Sequence, residues 1–131
     1  MHSLGLLIAV AAIVIIYLIY KRVAGAGIKS LNASAAQDLI KESGVLILDV
    51  RTSQEFRGGH IKGAKLLPVS ELAGRIGEIV DWKNRLVLVY CRSGSRSAAA
   101  CRILKKNGFT RIANLNGGIT SWNSMGFKTV T

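Results

Sequence analysis

The chain has 131 residues, half of them apolar, enough for one core-forming domain of ordinary size plus an appendage and too few for a second independent domain. Eighteen Lys and Arg stand against seven Asp and Glu, a balance that suits a nucleic acid, an anionic bilayer surface or a small anionic substrate. With only eight aromatic residues and no basic run interleaved with them, a stacking platform for single strands is unsupported, and no nucleic-acid partner is expected.

The apolar excess is concentrated at the start. Leu4 to Tyr20 carries no charged residue and is almost wholly Leu, Ile, Val and Ala, which meets the lower limit of about 17 apolar residues for a helix crossing a bilayer. Tyr17 and Tyr20, followed by Lys21 and Arg22, have the character of interfacial anchors, and the cations place that end on the cytoplasmic side. A cleaved secretory signal is the competing reading, with Ala24-Gly25-Ala26 as a small-x-small site. Against it, Met1-His2-Ser3 lacks the positive charge such signals carry, and the basic pair follows the apolar stretch. The expectation is a single-pass anchor in the cell membrane over residues 1–22, a Gly- and Ala-rich linker over 23–29, and a globular domain over 30–131 in the cytoplasm. One glycine, Gly5, and no Gly-x-x-x-Gly pattern leave self-association of the anchor without support.

From Ser30 onward strand-like runs alternate with helical ones, the pattern of an α/β domain with a largely parallel central sheet flanked by helices. Ser34 with Gln37 resembles a capping box opening a helix to about Ser43, stopped by Gly44. Val45 to Leu48 is a continuous apolar run ending at Asp49, as expected of a strand buried on both faces, and Leu86 to Tyr90 is a second one ending at Cys91. Ser70 precedes a helical stretch to about Val80, and Ser97 to Asn107 has apolar residues at helical spacing before Gly108. Ala113 to Leu115 reads as a short strand. Asn116-Gly117-Gly118 then turns into a last helix that buries Ile119 and Trp122.

The chemistry concentrates in Cys91-Arg92-Ser93-Gly94-Ser95-Arg96. A loop between a parallel strand and a helix lies where open α/β sheets place their ligands. Its backbone N–H groups can converge on an anion, reinforced by the positive end of the following helix. Gly94 permits a left-handed turn, and Ser93 and Ser95 add small hydrogen-bonding groups. A cysteine in that field has its thiolate favoured, so Cys91 is read as the nucleophile. Arg92 and Arg96 supply fixed charge and planar donor forks suited to sulfonate, sulfate or phosphate oxygens. Cys101, beside Ala98, Ala99 and Ala100 in a helical run, reads as packing. Two cysteines are too few for a disulfide framework or a zinc site, and both are expected as thiols.

Several motifs now fall in order. Leu48-Asp49-Val50-Arg51, then Glu55-Phe56, then Gly59-His60-Ile61-Lys62-Gly63-Ala64, then the cysteine loop, then Gly108-Phe109, then Asn114-Leu115-x-Gly117-Gly118-Ile119-x-x-Trp122 resemble the rhodanese-homology domain from about Ile28 to Thr131. The resemblance implies a catalytic cysteine at Cys91 and a ping-pong transfer. In that reaction the thiolate takes the outer sulfur of thiosulfate or another sulfane donor and passes it as a persulfide to cyanide or a thiol, small or on a protein. Loop amides with Arg92 and Arg96 would hold the donor anion. No metal or organic cofactor is implied. Asp49 and Arg51 are expected to brace the loop, Glu55 to be structural, and His60 to be structural rather than a proton shuttle. A membrane-tethered persulfide relay or docking module with little thiosulfate:cyanide activity is one alternative. The other is a phosphatase of the same fold, whose cysteine loop has five residues before its arginine where this one has four.

Overall fold

The computed structural model describes residues 2–25, 27–42 and 44–131. Its first element, α1 (His2–Gly25), is a single helix with large apolar side chains exposed along its length, from Leu4 to Tyr20. It is long and apolar enough to cross a membrane. The helix runs three residues past the expected boundary at 22, and β1 (Ile28–Leu31) begins inside the segment expected as a linker. Ala26, the last residue of the possible cleavage site, lies outside the described residues.

The remaining elements in chain order are α2 (Ala33–Ile40), β2 (Val45–Asp49), α3 (Ser53–Arg57), β3 (Lys65–Leu66) and α4 (Val69–Leu72), which continues as a 3₁₀ stretch from Ala73 to Trp82. There follow β4 (Leu86–Tyr90), α5 (Ser95–Lys106), β5 (Arg111–Leu115) and α6 (Gly118–Ser124). The five strands form one sheet in the order β1-β5-β4-β2-β3, with every pairing parallel. The central strand is therefore β4, the one that feeds Cys91.

Both sheet faces are covered, which is why β2 and β4 are continuous apolar runs rather than alternating ones. Leu46, Leu48, Val87, Val89, Cys91 and Ile112 face α4, the 3₁₀ stretch and α5, where they meet Leu72, Ile79, Ala100, Cys101 and Leu104. Ile47, Leu88, Tyr90, Ala113 and Leu115 face α2 and α6, packing on Ala33, Ala36, Ile119 and Trp122.

Local differences from the sequence-based expectation have local causes. The cap of α2 is Asn32, whose Oδ1 accepts from the Ala35 N–H at 2.8 Å, two residues before Ser34. β1 pairs with β5 through Leu31 and Leu115, and the chain turns immediately afterwards. The expected helix end at Ser43 lies outside the described residues. Helix α5 starts at Ser95, two residues before Ser97, because Gly94 takes up a left-handed conformation (φ 119°) and opens it. The region read as one helix from Ser70 to Val80 is a single α turn running into 3₁₀ geometry with a break at Arg75.

Candidate active site

Because all strands are parallel, their carboxyl ends share one edge, and the central strand carries Cys91 there. The loop is tighter than its six-residue span suggests, since its last two residues, Ser95 and Arg96, already belong to the first turn of α5. That turn has no side-chain cap, so its first N–H groups are available to the sulfur.

The Cys91 residue is fully buried. The Gly94 N–H donates to its Sγ at 3.1 Å. The thiol donates to the Ser97 Oγ at 3.3 Å, and the Ser97 hydroxyl in turn donates to the Gly94 carbonyl at 3.0 Å. Burial opposes ionisation of the thiol. The Ser97 side chain and the backbone N–H groups of Ser97, Gly94 and Ser93 outweigh it, and the net displacement is downward from the ordinary thiol value. Sequence reasoning assigned the field to the arginines and the helix end. The structure adds Ser97, which the sequence presented only as a residue near a helix start. The available signal was a small hydroxyl residue in the first turn after Gly94, where a side chain can reach back toward the preceding strand.

The loop is braced from below by α6. The Ile119 N–H donates to the Cys91 carbonyl at 2.9 Å and the Thr120 N–H to the Arg92 carbonyl at 3.1 Å, which satisfies amides that the start of a helix leaves without intrahelical partners. The approach is close enough to require glycine. A Cβ on Gly118 would lie 2.4 Å from the Cys91 oxygen and 2.5 Å from the Arg92 carbonyl carbon, and its φ is +58°.

Arg96 and Glu55 meet across 41 residues of sequence. The two ends of the guanidinium donate to the two carboxylate oxygens at 2.7 and 2.9 Å. Glu55 also closes a capping box on α3, accepting from the Thr52 N–H while Thr52 Oγ1 accepts from the Glu55 N–H. Its carboxyl is held down to about 2, first by the Arg96 hydrogen bonds and then, against the opposing effect of burial, by those from Thr52. The fork of Arg96 is thus engaged by a protein carboxylate. Arg92 is exposed and, with Arg51, Glu55, Gly59, Thr120 and Asn123, lines a depression of about 330 Å³ beside the loop.

Asp49 and Arg51 form a buried pair at the end of β2, with Arg51 Nη2 donating to Asp49 Oδ2 at 2.7 Å and to the Gly59 carbonyl at 2.8 Å. Tyr90 joins them from β4. Its hydroxyl accepts from the Ile61 N–H at 3.1 Å and lies near the Asp49 carboxylate. Burial first, and the Asp49 carboxylate next, push its phenol well above the ordinary value, so it stays a neutral donor. The network ties the 59–61 segment to the carboxyl ends of β2 and β4, next to the loop. His60 stacks on Phe56 with ring centroids 3.6 Å apart and places Nδ1 2.9 Å from the Phe56 carbonyl.

Comparison with known proteins agrees with this architecture. Residues 32–125 match the model of the rhodanese-like domain. The chain is 41% identical over 99 residues to a sulfurtransferase of Allochromatium vinosum, covering 76% of this chain and 91% of that one. It is 37% identical over 70 residues to the thiosulfate sulfurtransferase PspE of Escherichia coli, covering 53% and 67% respectively. Among solved structures, a rhodanese-related protein of Thermoplasma volcanium superposes with a TM-score of 0.67 at 33% identity, over 78% of this chain and 97% of that one. The chain belongs to the rhodanese-like domain family, and its fold is the parallel α/β sheet of that family with an apolar N-terminal helix added.

Proposed function

We propose that the protein is a membrane-anchored sulfurtransferase of the thiosulfate type, in which Cys91 carries a sulfane sulfur as a persulfide. The observation that carries this reading is the environment of the Cys91 sulfur, which accepts from the Gly94 N–H, shares a hydrogen bond with the Ser97 hydroxyl at the carboxyl end of the central strand, and has its thiolate favoured despite burial.

The thiolate attacks the outer sulfur of thiosulfate. A sulfur–sulfur bond forms to Cys91, the bond inside the donor breaks, and sulfite leaves with its electron pair. Cyanide or a thiolate then attacks the outer sulfur of the persulfide, giving thiocyanate or a new persulfide and returning the Cys91 thiolate. Every step is a two-electron displacement, so no redox partner is needed. The same N–H groups that favour the thiolate favour the anionic persulfide. Arg92 is exposed and lines the adjoining depression, and with the loop residues Ser93, Gly94 and Ser95 it receives the donor's sulfonate. Arg96 adds charge from the first turn of α5, while Glu55 holds its fork.

That engagement also weighs against phosphoryl transfer. A phosphatase needs the arginine fork at the end of the loop free for equatorial oxygens, and here a carboxylate faces both ends of it. The sulfurtransferase names of the Allochromatium vinosum and Escherichia coli relatives support the same choice. The anchor reading rests on α1, exposed throughout the stretch from Leu4 to Tyr20, with Lys21 and Arg22 at its domain end.

The test is intact mass spectrometry of wild type and Cys91→Ala after thiosulfate and then cyanide. Gain of one sulfur mass on wild type only, discharged with release of thiocyanate, supports the proposal. If neither protein gains sulfur, thiosulfate is not the donor. Gain on both would remove Cys91 from the mechanism.

A further inference from the structure

The parallel sheet has two unlike ends. Its carboxyl edge holds Cys91, and its amino edge is where α1 joins, because β1 begins at Ile28, three residues after α1 ends at Gly25. Three residues span at most roughly 11 Å, so the amino edge of β1 is the part of the domain nearest the apolar helix.

Positive charge collects at that edge. Lys29 lies in β1, Arg111 opens β5, and Lys83 and Arg85 immediately precede β4, while Lys106 ends α5 and Lys41 follows α2. Lys29, Lys83, Arg85 and Arg111 are neighbours in space as well as in topology. The Thr110 N–H donates to the Lys83 carbonyl at 2.9 Å. Gly108 adjoins the Lys83 side chain, and Gly44, just before β2, adjoins the Arg85 guanidinium. Lys29 and Arg111 share with Gly27, Glu42 and Thr110 an open depression of about 340 Å³. All six cations except Lys83 are exposed. Among the described residues the acids near this edge are Asp38, Glu42 and Asp81, and Asp38 pairs with Lys41 at 3.9 Å. The other four acids are engaged elsewhere, Glu71 and Glu78 with Arg75, Asp49 with Arg51, and Glu55 with Arg96. Arg85 lies 3.8 Å over the ring of Trp82, a cation and aromatic pair of the kind that settles at bilayer interfaces.

We propose that this amino edge is a docking surface for anionic lipid headgroups, which holds the domain against the bilayer with the Cys91 loop turned away from it. The inference rests on reading α1 as the membrane anchor and adds an orientation that an anchor alone does not impose. In the sequence Lys21 and Arg22 add two more cations between the apolar stretch and the domain, and juxtamembrane clusters of Lys and Arg attract anionic lipid within a Debye length. With five residues in β4 rising about 3.3 Å each, Cys91 stands roughly 17 Å above the amino edge. Its donor and acceptor would then be soluble anions and thiols reaching the loop from the aqueous side, and not lipid-embedded molecules.

The test uses the full chain in nanodiscs of phosphatidylcholine, with or without phosphatidylglycerol. Lysines are acetylated with an N-hydroxysuccinimide ester, the sites are read by peptide mass spectrometry, and insertion is checked separately by resistance to alkaline carbonate. The expected result is a fall of about threefold or more in acetylation of Lys29, Lys83 and Lys106 in the anionic discs, reversed by high salt, with Lys65, which lies opposite Leu48 toward the carboxyl end of β2, unchanged. Arg85→Gln with Arg111→Gln should weaken that protection and leave thiocyanate formation unaltered. An inserted chain with no lipid-dependent change, or with equal change at Lys65, overturns the docking surface and leaves the anchor standing. A chain stripped by carbonate overturns the anchor reading, and the docking surface with it.

Discussion

Cys91 and Cys101 lie in one hydrophobic cluster, with 0% and 1% of their surface exposed, yet the protein treats their thiols in opposite ways. Burial raises both. At Cys101, in the second turn of α5 and beyond the reach of its free amides, burial dominates and the thiol is pushed up to about 12. At Cys91, one strand end and half a loop away, Ser97 and three backbone N–H groups reverse the sign. The Cys91 thiolate is therefore favoured by hydrogen bonds to the sulfur and not by exposure, and the neighbouring alanine-rich turn shows what the same burial does without them.

The contrast breaks most sharply on removal of the sulfur. Cys91→Ala should reduce thiocyanate formation from thiosulfate and cyanide to background. Cys101→Ala should keep that activity within about twofold and lose about 1 to 2 kcal/mol of stability from the small cavity, read by urea unfolding.

The next largest effect is expected at Gly118. An added methyl meets the Cys91 and Arg92 backbone at 2.4 to 2.5 Å, so Gly118→Ala should displace the loop and cost about 2 kcal/mol or more. Gly126→Ala has a comparable positive φ of +74° but meets nothing within 4 Å, and should cost only the backbone preference of about 1 kcal/mol with sulfur loading intact. Equal losses in the two variants would show that the α6 brace does not position the loop.

Ser97→Ala sharpens the comparison by making Cys91 more like Cys101. Loss of a hydrogen bond to a charged sulfur, about 1.5 kcal/mol, corresponds to roughly one pH unit. The iodoacetamide alkylation profile of Cys91 should therefore move upward by about that amount. An unmoved profile would assign the low thiol value to the backbone alone.

Glu55→Gln should have the smallest effect, about 1 kcal/mol, because the Arg96 pair is about one-third exposed and solvent screens it. The Glu55 carboxyl lies near 2 in the folded chain against 4.5 normally. Its contribution is therefore fully present above pH 4.5 and lost as the pH falls through about 2. The difference in unfolding free energy between wild type and variant should be flat from pH 5 to 8 and close as the medium becomes more acid.

Much of this was written locally in the chain. The apolar runs at β2 and β4 read as strands buried on both faces, and Cys91 at the end of one, followed by a glycine and then a helix, was placed at a strand-to-helix loop without any tertiary information. The exposed apolar stretch from Leu4 to Tyr20 announced its own helix. Short elements were harder. α3 has five residues and β3 two, too few for a period to register, although Thr52 and Glu55 do have capping-box spacing. The choice of Asn32 over Ser34 as a cap could not be made from the sequence, since both residue types cap helices and the pairing of Leu31 with Leu115 decided between them.

The sequence by itself determined the class of the fold, the place of Cys91 at the end of a strand and the basic character of the chain, because these follow from hydrophobic period, residue chemistry and composition. Tertiary structure alone decided which partners those residues meet. Glu55 reaches Arg96 across 41 positions, Gly118 lies under Cys91 across 27, and Lys29 gathers with Lys83 and Arg111 at one edge because five strands run parallel. Such contacts depend on strand order and helix placement, which no local pattern of residues specifies.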